Sequence, residues 1–212
     1  MNRLFSFDSP IITTLTLVAD LAIISFMWVL FCIPVFTIGA STTAMYRVAL
    51  NLTEDKGGPT VGQFWRAFKE NFKPGTLVFL ASALLYVVIA FDIWMLSAAK
   101  AEGIMAFACV MSALVLGFIG AYIFPLTAQF DNTVKNTLKN AFVLAMTNPL
   151  TSAISLFLDL IPVMLLILLP ELFWFTALIW PFFGFGTIAK LKITLQRRIF
   201  RKYIPDTPKE EE

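Results

Sequence analysis

Five long runs of apolar residues, each with at most one charged side chain, constrain this chain more than any other feature. A hydrocarbon core about 30 Å thick is crossed by roughly 20 apolar residues in an α-helix. These runs lack the alternation of polar and apolar residues that is typical of barrel strands. A helix also forms all of its backbone hydrogen bonds within its own segment, as lipid requires. The sequence therefore predicts an all-α, polytopic transmembrane helix bundle. The predicted spans cover residues 11–33, 76–99, 104–130, 149–169 and 172–189.

The overall composition agrees with a chain that is surrounded by lipid. Hydrophobic residues make up 58% of the 212 residues, and charged residues only 14%. A soluble domain normally has about 25% charged residues. A water-soluble globule of this composition would have too little polar surface, so we expect one integral membrane domain over residues 1–212.

The residues that carry most enzyme chemistry are missing from the sequence. There is no histidine, which removes the commonest general base, proton switch and metal ligand. Cys32 and Cys109 lie in apolar runs and are expected to behave as small hydrophobic residues. Phosphate loops, CxxC pairs and nucleophile elbows are absent. We therefore expect no enzymatic activity, no cofactor and no metal site.

Lysine and arginine are distributed unevenly between the two sides of the predicted bundle. Alternate connections hold 14 of them on one side and two, Arg3 and Lys100, on the other. The positive-inside rule then predicts an external N-terminus and a cytoplasmic C-terminus. Residues 190–212 would form a basic cytoplasmic tail that contacts anionic lipid or a protein partner. Nucleic acid is not an expected partner, because the cluster lies against the membrane. The expected contact residues are Arg197, Arg198, Arg201 and Lys202.

Residues 35–48 form a sixth, shorter apolar segment. At about 14 residues the segment is short for a crossing, so it predicts a re-entrant or interfacial helix on the cytoplasmic side. A sixth span, which would place the N-terminus inside, is the alternative. Small residues spaced four apart favour close helix packing, and a re-entrant turn along a substrate path is the other interpretation. The residues concerned are Pro34, Thr37, Gly39, Thr43 and Ala44.

Two cytoplasmic connections resemble each other. Phe64, Phe68 and Phe72 recur at four-residue spacing, which predicts an amphipathic helix lying in the headgroup plane. Residues 138–145 form a comparable stripe, and each segment ends in an Asn/Pro elbow before a span. The order of surface helix, span and span thus occurs twice, about 74 residues apart. The two surface helices either float on lipid or form a paired platform beneath the bundle, and we favour the platform.

Asp20, Asp92 and Asp159 are each the single charge of a predicted span. A charge at the bilayer centre costs roughly 2.5–3.5 kcal/mol on insertion scales. No predicted span contains a lysine or arginine, so each acid is expected to be protonated, hydrogen-bonded or in contact with water. The acids either join helices through buried hydrogen bonds or form a proton or cation relay. If Asp159 is structural and protonated, Asp159→Asn should leave stability nearly unchanged.

Three stretches resemble the YesL family of bacterial membrane proteins. They are Asp20-Leu21 with Pro-Val-Phe-Thr-Ile-Gly-Ala-Ser-Thr-Thr-Ala at 34–44, Phe-Trp-Arg-Ala-Phe-Lys-Glu-Asn-Phe-Lys at 64–73, and Leu-Lys-Asn-Ala at 138–141. The block at 34–44 is the most specific of them. Ser25 stands where family members often have Asn. The resemblance implies a plasma-membrane protein of about five spans with no assigned activity. Such proteins are often encoded beside ABC-type sugar importers.

Two functions follow as expectations. The first is a non-enzymatic accessory protein of carbohydrate uptake, in contact with the lipid bilayer and with the permease subunits of an ABC-type importer. The second is a small proton- or cation-coupled transporter that uses the intramembrane acids. A continuous polar cavity joining Asp20 and Asp159 would favour the transporter.

Overall fold

A computed structural model describes residues 10–54, 56, 58–98 and 103–203, and all structural statements refer to these residues. The described part of the chain is helical and contains no strand, which confirms the all-α class. The helices are α1 Pro10–Cys32, α2 Ile38–Thr53, α3 Thr60–Glu70, α4 Phe72–Ala98, α5 Ile104–Gln129, α6 Val134–Thr147, α7 Pro149–Leu168, α8 Phe173–Ile179 and α9 Phe185–Tyr203.

Four of these helices are long and apolar enough to cross a membrane. The four segments lie in α1, α4, α5 and α7, and each matches a predicted span to within about four residues. Most of their side chains face outward from the bundle, as expected for helices in contact with lipid. Four such helices indicate a multi-pass membrane protein. Their bounds are Ile11–Cys32, Phe72–Leu96, Phe107–Gln129 and Pro149–Leu168.

The fifth predicted span, residues 172–189, has a different form. It consists of α8, a π-helical turn at Trp180–Gly184, and the beginning of α9. Pro181 lies in this turn and lacks a backbone donor, which is a common reason for such a defect. Helical structure continues without a break to Tyr203. Residues 190–203 of the predicted tail are therefore the second half of a helix that packs in the bundle.

The segment at 35–48 contributes the most buried helix of the bundle. A 3₁₀ turn at Val35–Thr37 leads into α2, which contacts α1, α3, α4, α5 and α9. Between 39 and 50 every α2 side chain is buried except Arg47, which is half-buried and donates to the Ala128 carbonyl oxygen at 2.8 Å. The helix α2 is therefore enclosed by other helices, while its depth in the membrane, whether re-entrant, interfacial or spanning, stays a prediction.

The two amphipathic helices end in matching elbows. Asn71 follows α3, and its side-chain nitrogen donates to the carbonyl oxygen of Ala67, four residues earlier. Asn148 follows α6 and donates in the same way to Leu144. The carbonyl oxygen of each asparagine accepts from the amide four residues later, in the next helix. These shared hydrogen bonds support an internal repeat of surface helix followed by span.

Candidate functional site

The strongest candidate site is centred on an ion pair between α7 and α9. The Lys192 Nζ atom lies 2.9 Å from Asp159 Oδ1 and 2.7 Å from Asp159 Oδ2. The expectation that no basic residue reaches the intramembrane acids is therefore wrong for Asp159. Its partner was assigned by sequence to the tail, and the continuation of α9 past the π turn brings that residue against α7.

The two members of the pair differ in exposure. The Lys192 side chain is 3% exposed, whereas 38% of the Asp159 side chain is exposed. The ammonium group also lies 5.4 Å from the ring centroid of Tyr46, within the range of cation–π attraction. Lysine stays buried and charged only when it is paired, and these contacts provide the pairing. The carboxylate is therefore the more exposed member of the pair.

A cavity of about 400 Å³ lies beside the ion pair. Its walls come from six helices of the bundle, namely α1, α2, α4, α5, α7 and α9. Gly117 and Gly120 form part of the α5 wall, where the lack of side chains lets Leu156 and Tyr86 approach the helix closely. The aromatic residues that line it are Trp28, Tyr46, Tyr86, Phe124 and Phe185.

A second polar layer lies one helical turn from the ion pair. Gln196 is fully buried, and its Nε2 atom donates to the Ala121 carbonyl oxygen at 3.0 Å and to Ser155 Oγ at 3.3 Å. Ser155 precedes Asp159 by four residues and Gln196 follows Lys192 by four, so both layers lie on one face of each helix. This four-residue spacing was the sequence signal that could have linked α7 to α9.

Asp20 has a different partner. The Thr60 hydroxyl, at the first residue of α3, donates to Asp20 Oδ1 at 2.5 Å. Asp20 does not line the cavity beside Asp159. Within the described residues, Asp20 thus joins α1 to α3 through a hydroxyl group, as the structural interpretation of the acids expects.

Asp92 lies away from both other acids. It is exposed on α4 and lines a groove of about 480 Å³ between α4 and α5. Met95, Met105, Cys109 and Ser112 also line this groove. The three acids singled out in the sequence therefore occupy three separate surroundings in the described structure.

The block of small residues at 34–44 allows α2 to pack closely against α4. A Cβ atom on Gly39 would overlap the Gly75 carbonyl oxygen and the Phe79 Cβ atom, so α2 and α4 meet here backbone to backbone. Thr43 is fully buried and donates to the Gly39 carbonyl oxygen at 2.8 Å, and Ala44 is also fully buried. These contacts fit the packing interpretation of the block.

The turn before α2 is held by one hydroxyl group. Thr37 Oγ1 lies 2.6 Å from the carbonyl oxygens of both Phe31 and Pro34. Its donor thus satisfies backbone acceptors left free where α1 ends. This contact fixes the reversal of the chain between α1 and α2.

The phenylalanine stripe of α3 packs on protein. Phe64 is fully buried, Phe68 is 7% exposed, and Phe72 is 41% exposed. The Phe31 ring of α1 lies 5.7 Å from the Phe64 ring and 4.9 Å from the Phe68 ring, between centroids. Phe64 and Phe68 are therefore covered by α1 and α2, as the favoured platform interpretation expects of α3, and do not face lipid.

The basic cluster near the chain end is divided between two roles. Arg197 donates to the Thr53 carbonyl oxygen at 3.1 Å and lies 3.7 Å from Glu54. Burial alone would raise the pKa of Glu54, but Lys56, Arg197 and Arg201 outweigh burial, so the pKa is lowered. The other basic residues expected to contact lipid or a partner remain exposed. They are Arg198, Arg201 and Lys202.

Comparison with known proteins gives two matches. Residues 21–93 match a family described as a protein of unknown function, DUF624. The chain is also 25% identical over 142 residues to the uncharacterised protein YesL of Bacillus subtilis strain 168. That alignment covers 63% of this chain and 66% of YesL. The chain thus spans slightly less than two thirds of the curated relative.

No solved structure matches this chain. The family match covers α2 and α3 entirely, together with most of the first and second predicted spans. It therefore includes the small-residue block, the phenylalanine stripe and Asp92, but it begins just after Asp20 and ends before Asp159. These matches, together with the motifs at 34–44 and 64–73, support assignment of the chain to the YesL family of membrane proteins.

Proposed function

We propose that the protein is a non-enzymatic accessory component of carbohydrate uptake in the bacterial plasma membrane. In this role it would bind the permease subunits of an ABC-type importer through its cytoplasmic side, with the N-terminus outside and the C-terminus inside. The carbohydrate association comes from the family resemblance. The basic asymmetry of the connections supports the orientation.

The observation that carries the proposal is the separate engagement of the intramembrane acids. Asp159 is paired with Lys192, and Asp20 accepts a hydrogen bond from Thr60. A relay needs groups that exchange protons along a connected path, whereas these two acids have separate partners on different helices. Acids that are engaged in this way support a scaffold that binds other proteins.

A cross-linked purification from a native host tests the proposal. We expect permease subunits of a carbohydrate importer to be enriched with the wild-type chain. Reversing the charge of Arg198, Arg201 and Lys202 together should weaken their recovery, because these exposed side chains belong to the expected contact surface. Lys135 and Lys139, exposed on α6, provide the matched charge-reversal control. Equal recovery with all variants, or no permease at all, would contradict the proposal.

A small coupled transporter is the second candidate, and the cavity favours it. Asp159 lies near the middle of α7, and its carboxylate is accessible from a cavity inside the bundle. Solute flux in proteoliposomes, with a pH gradient imposed, would distinguish the candidates. A transporter should lose coupled flux in an Asp159→Leu/Lys192→Met double variant, whereas an accessory protein should show no flux in either form.

A further inference from the structure

The cavity beside Asp159 presents a hydrogen-bond acceptor. Both oxygens of the carboxylate accept from Lys192, at 2.9 and 2.7 Å, yet 38% of the side chain stays exposed. A carboxylate has about four lone-pair sites, so accepting sites remain free on the exposed side. Lys192 is 3% exposed and already engaged, so it offers little to a ligand. The complementary ligand group is therefore a donor.

The charge balance indicates that this donor is neutral. Asp159 and Lys192 form a pair without net charge, and a cation bound to the carboxylate would also face the ammonium group close by. An anion would meet the carboxylate on the exposed side of the pair. Hydroxyl groups avoid both conflicts, because they donate to the carboxylate without adding charge.

The walls of the cavity favour a ring with an apolar face. Trp28 and Phe185 lie 4.3 Å apart between centroids, and the indole nitrogen is already bonded to Thr42 at 2.9 Å. Because the Phe185 ring packs against the indole, Trp28 contributes apolar ring surface to the wall and no free donor. A Cβ atom on Gly120 would overlap the Tyr86 hydroxyl, so glycine at this position is what allows the Tyr86 ring to lie against α5.

We propose that this cavity binds a neutral polyhydroxylated ring, that is, a monosaccharide or a small oligosaccharide. Its hydroxyl groups donate to Asp159, and its apolar face lies against the aromatic wall. The volume of about 400 Å³ lies in the range of small-molecule sites, about 300–1,000 Å³. The choice of carbohydrate rests on the proposed function. The site could bind sugar even if the protein has no accessory role in uptake. The protein could also have that role without binding sugar at this site.

Direct binding of radiolabelled maltose and methyl α-D-glucopyranoside tests the inference. The full chain is purified in a detergent without a sugar headgroup, because a maltoside would compete, and is placed in lipid nanodiscs. We expect saturable binding of at least one of the two sugars. Choline and glutamate, as a cation and an anion, should not compete at the same concentration.

Two variants assign the binding to the cavity. Asp159→Leu/Lys192→Met removes the polar pair without leaving a buried charge, and it should weaken binding at least tenfold. Tyr86→Leu removes one ring and should weaken binding several-fold with the ion pair intact. Phe157→Leu, on the exposed face of α7, is the control and should bind like the wild type. Thermal unfolding of each variant identifies any that fail to fold.

Three results would overturn the inference. The first is the absence of saturable binding of both sugars to the wild-type protein. The second is competition by choline or glutamate that matches competition by unlabelled sugar. The third is wild-type affinity in both cavity variants, which would assign the binding to another surface. Recovery of permease subunits in the native host is measured separately, so failure of the proposed accessory role is distinguishable from failure of this site.

Discussion

Asp159 and Lys192 form an ion pair whose formation carries a large desolvation free energy. Removing two charges from water costs several kcal/mol for each ion, and their mutual attraction offsets that cost only with good geometry. Both carboxylate oxygens lie within 2.9 Å of the ammonium nitrogen, so the geometry is good. Removing Asp159 would leave the Lys192 ammonium group buried and uncompensated, because only Asp159 is partly exposed.

We therefore expect Asp159→Asn to destabilise the protein strongly, by about 3–5 kcal/mol. The physical reason is that asparagine cannot neutralise Lys192, which remains 2% exposed. Thermal unfolding in lipid nanodiscs measures the loss. This outcome is opposite to the sequence-based expectation of a protonated acid that tolerates the change.

The double variant Asp159→Leu/Lys192→Met is the matched control for this experiment. It replaces the pair with apolar side chains of similar volume, so it should be clearly more stable than Asp159→Asn. If Asp159→Asn unfolds at the wild-type temperature, the pair does not contribute as the geometry requires.

Gly39→Ala is a second residue-level test. Its Cβ atom would overlap the Gly75 backbone oxygen, which cannot rotate away as a flexible side chain can. We expect a loss of about 1–3 kcal/mol from overpacking, measured by thermal unfolding. Gly62→Ala in α3 is the control, because its Cβ atom would meet only Pro59 Cγ, at 3.5 Å. Alanine there should be neutral or stabilising by up to about 1 kcal/mol. Equal effects of the two changes would contradict close packing at Gly39.

At the level of elements, α3 and α6 each end in the same kind of asparagine elbow, but other helices cover α3 more fully than α6. Phe68 of α3 is 7% exposed and packs on α1, whereas Phe142 of α6 is 49% exposed. The helix α6 packs mainly on α5 through small residues such as Ala141 and Ala145, which are fully buried. The two copies of the repeat are therefore alike at the junction between surface helix and span. They differ in how the surface helix packs against the rest of the bundle.

Phe68→Ser and Phe142→Ser test this difference in burial between α3 and α6. Truncating a buried phenylalanine typically costs about 3–5 kcal/mol, so Phe68→Ser should lower the unfolding temperature markedly. Phe142→Ser should have a small effect, within about 0.5 kcal/mol, because its ring is half exposed. Wild-type unfolding of Phe68→Ser would show that α3 is only a lipid-surface anchor. Equal large losses would support a platform in which both helices are covered.

At the scale of the whole molecule, orientation stays a prediction from charge. A cytoplasmic C-terminus follows from the sequence count of 14 basic residues on one side and two on the other, and without the buried Lys192 the count is still 13 against two. Fusions after Lys209 to a fluorescent reporter that matures in the cytoplasm, and to a phosphatase active outside, measure it. We expect fluorescence without phosphatase activity. The reverse pattern would invert the sidedness of every connection and remove the basis for a cytoplasmic docking surface.

The side of the membrane on which the N-terminus lies depends on the number of crossings, so a separate fusion measures it. With α1, α4, α5, α7 and the α8–α9 region crossing once each, the N-terminus is outside. If α2 also crosses, both termini lie in the cytoplasm. A reporter before Pro10, read against the C-terminal fusion, should place the two termini on opposite sides.

The helical, multi-spanning class is predictable from sequence alone, because long uncharged apolar runs have few other stable forms in lipid. The sequence also located four long helices and both Asn/Pro elbows, since these depend on local pattern. Only the tertiary structure decided that α2 lies at the centre, that Phe64 and Phe68 are covered, and that Lys192 reaches Asp159. The pair joins residues 33 positions apart on two helices. Its formation depends on the relative rotation and depth of α7 and α9, which packing sets and hydropathy does not encode.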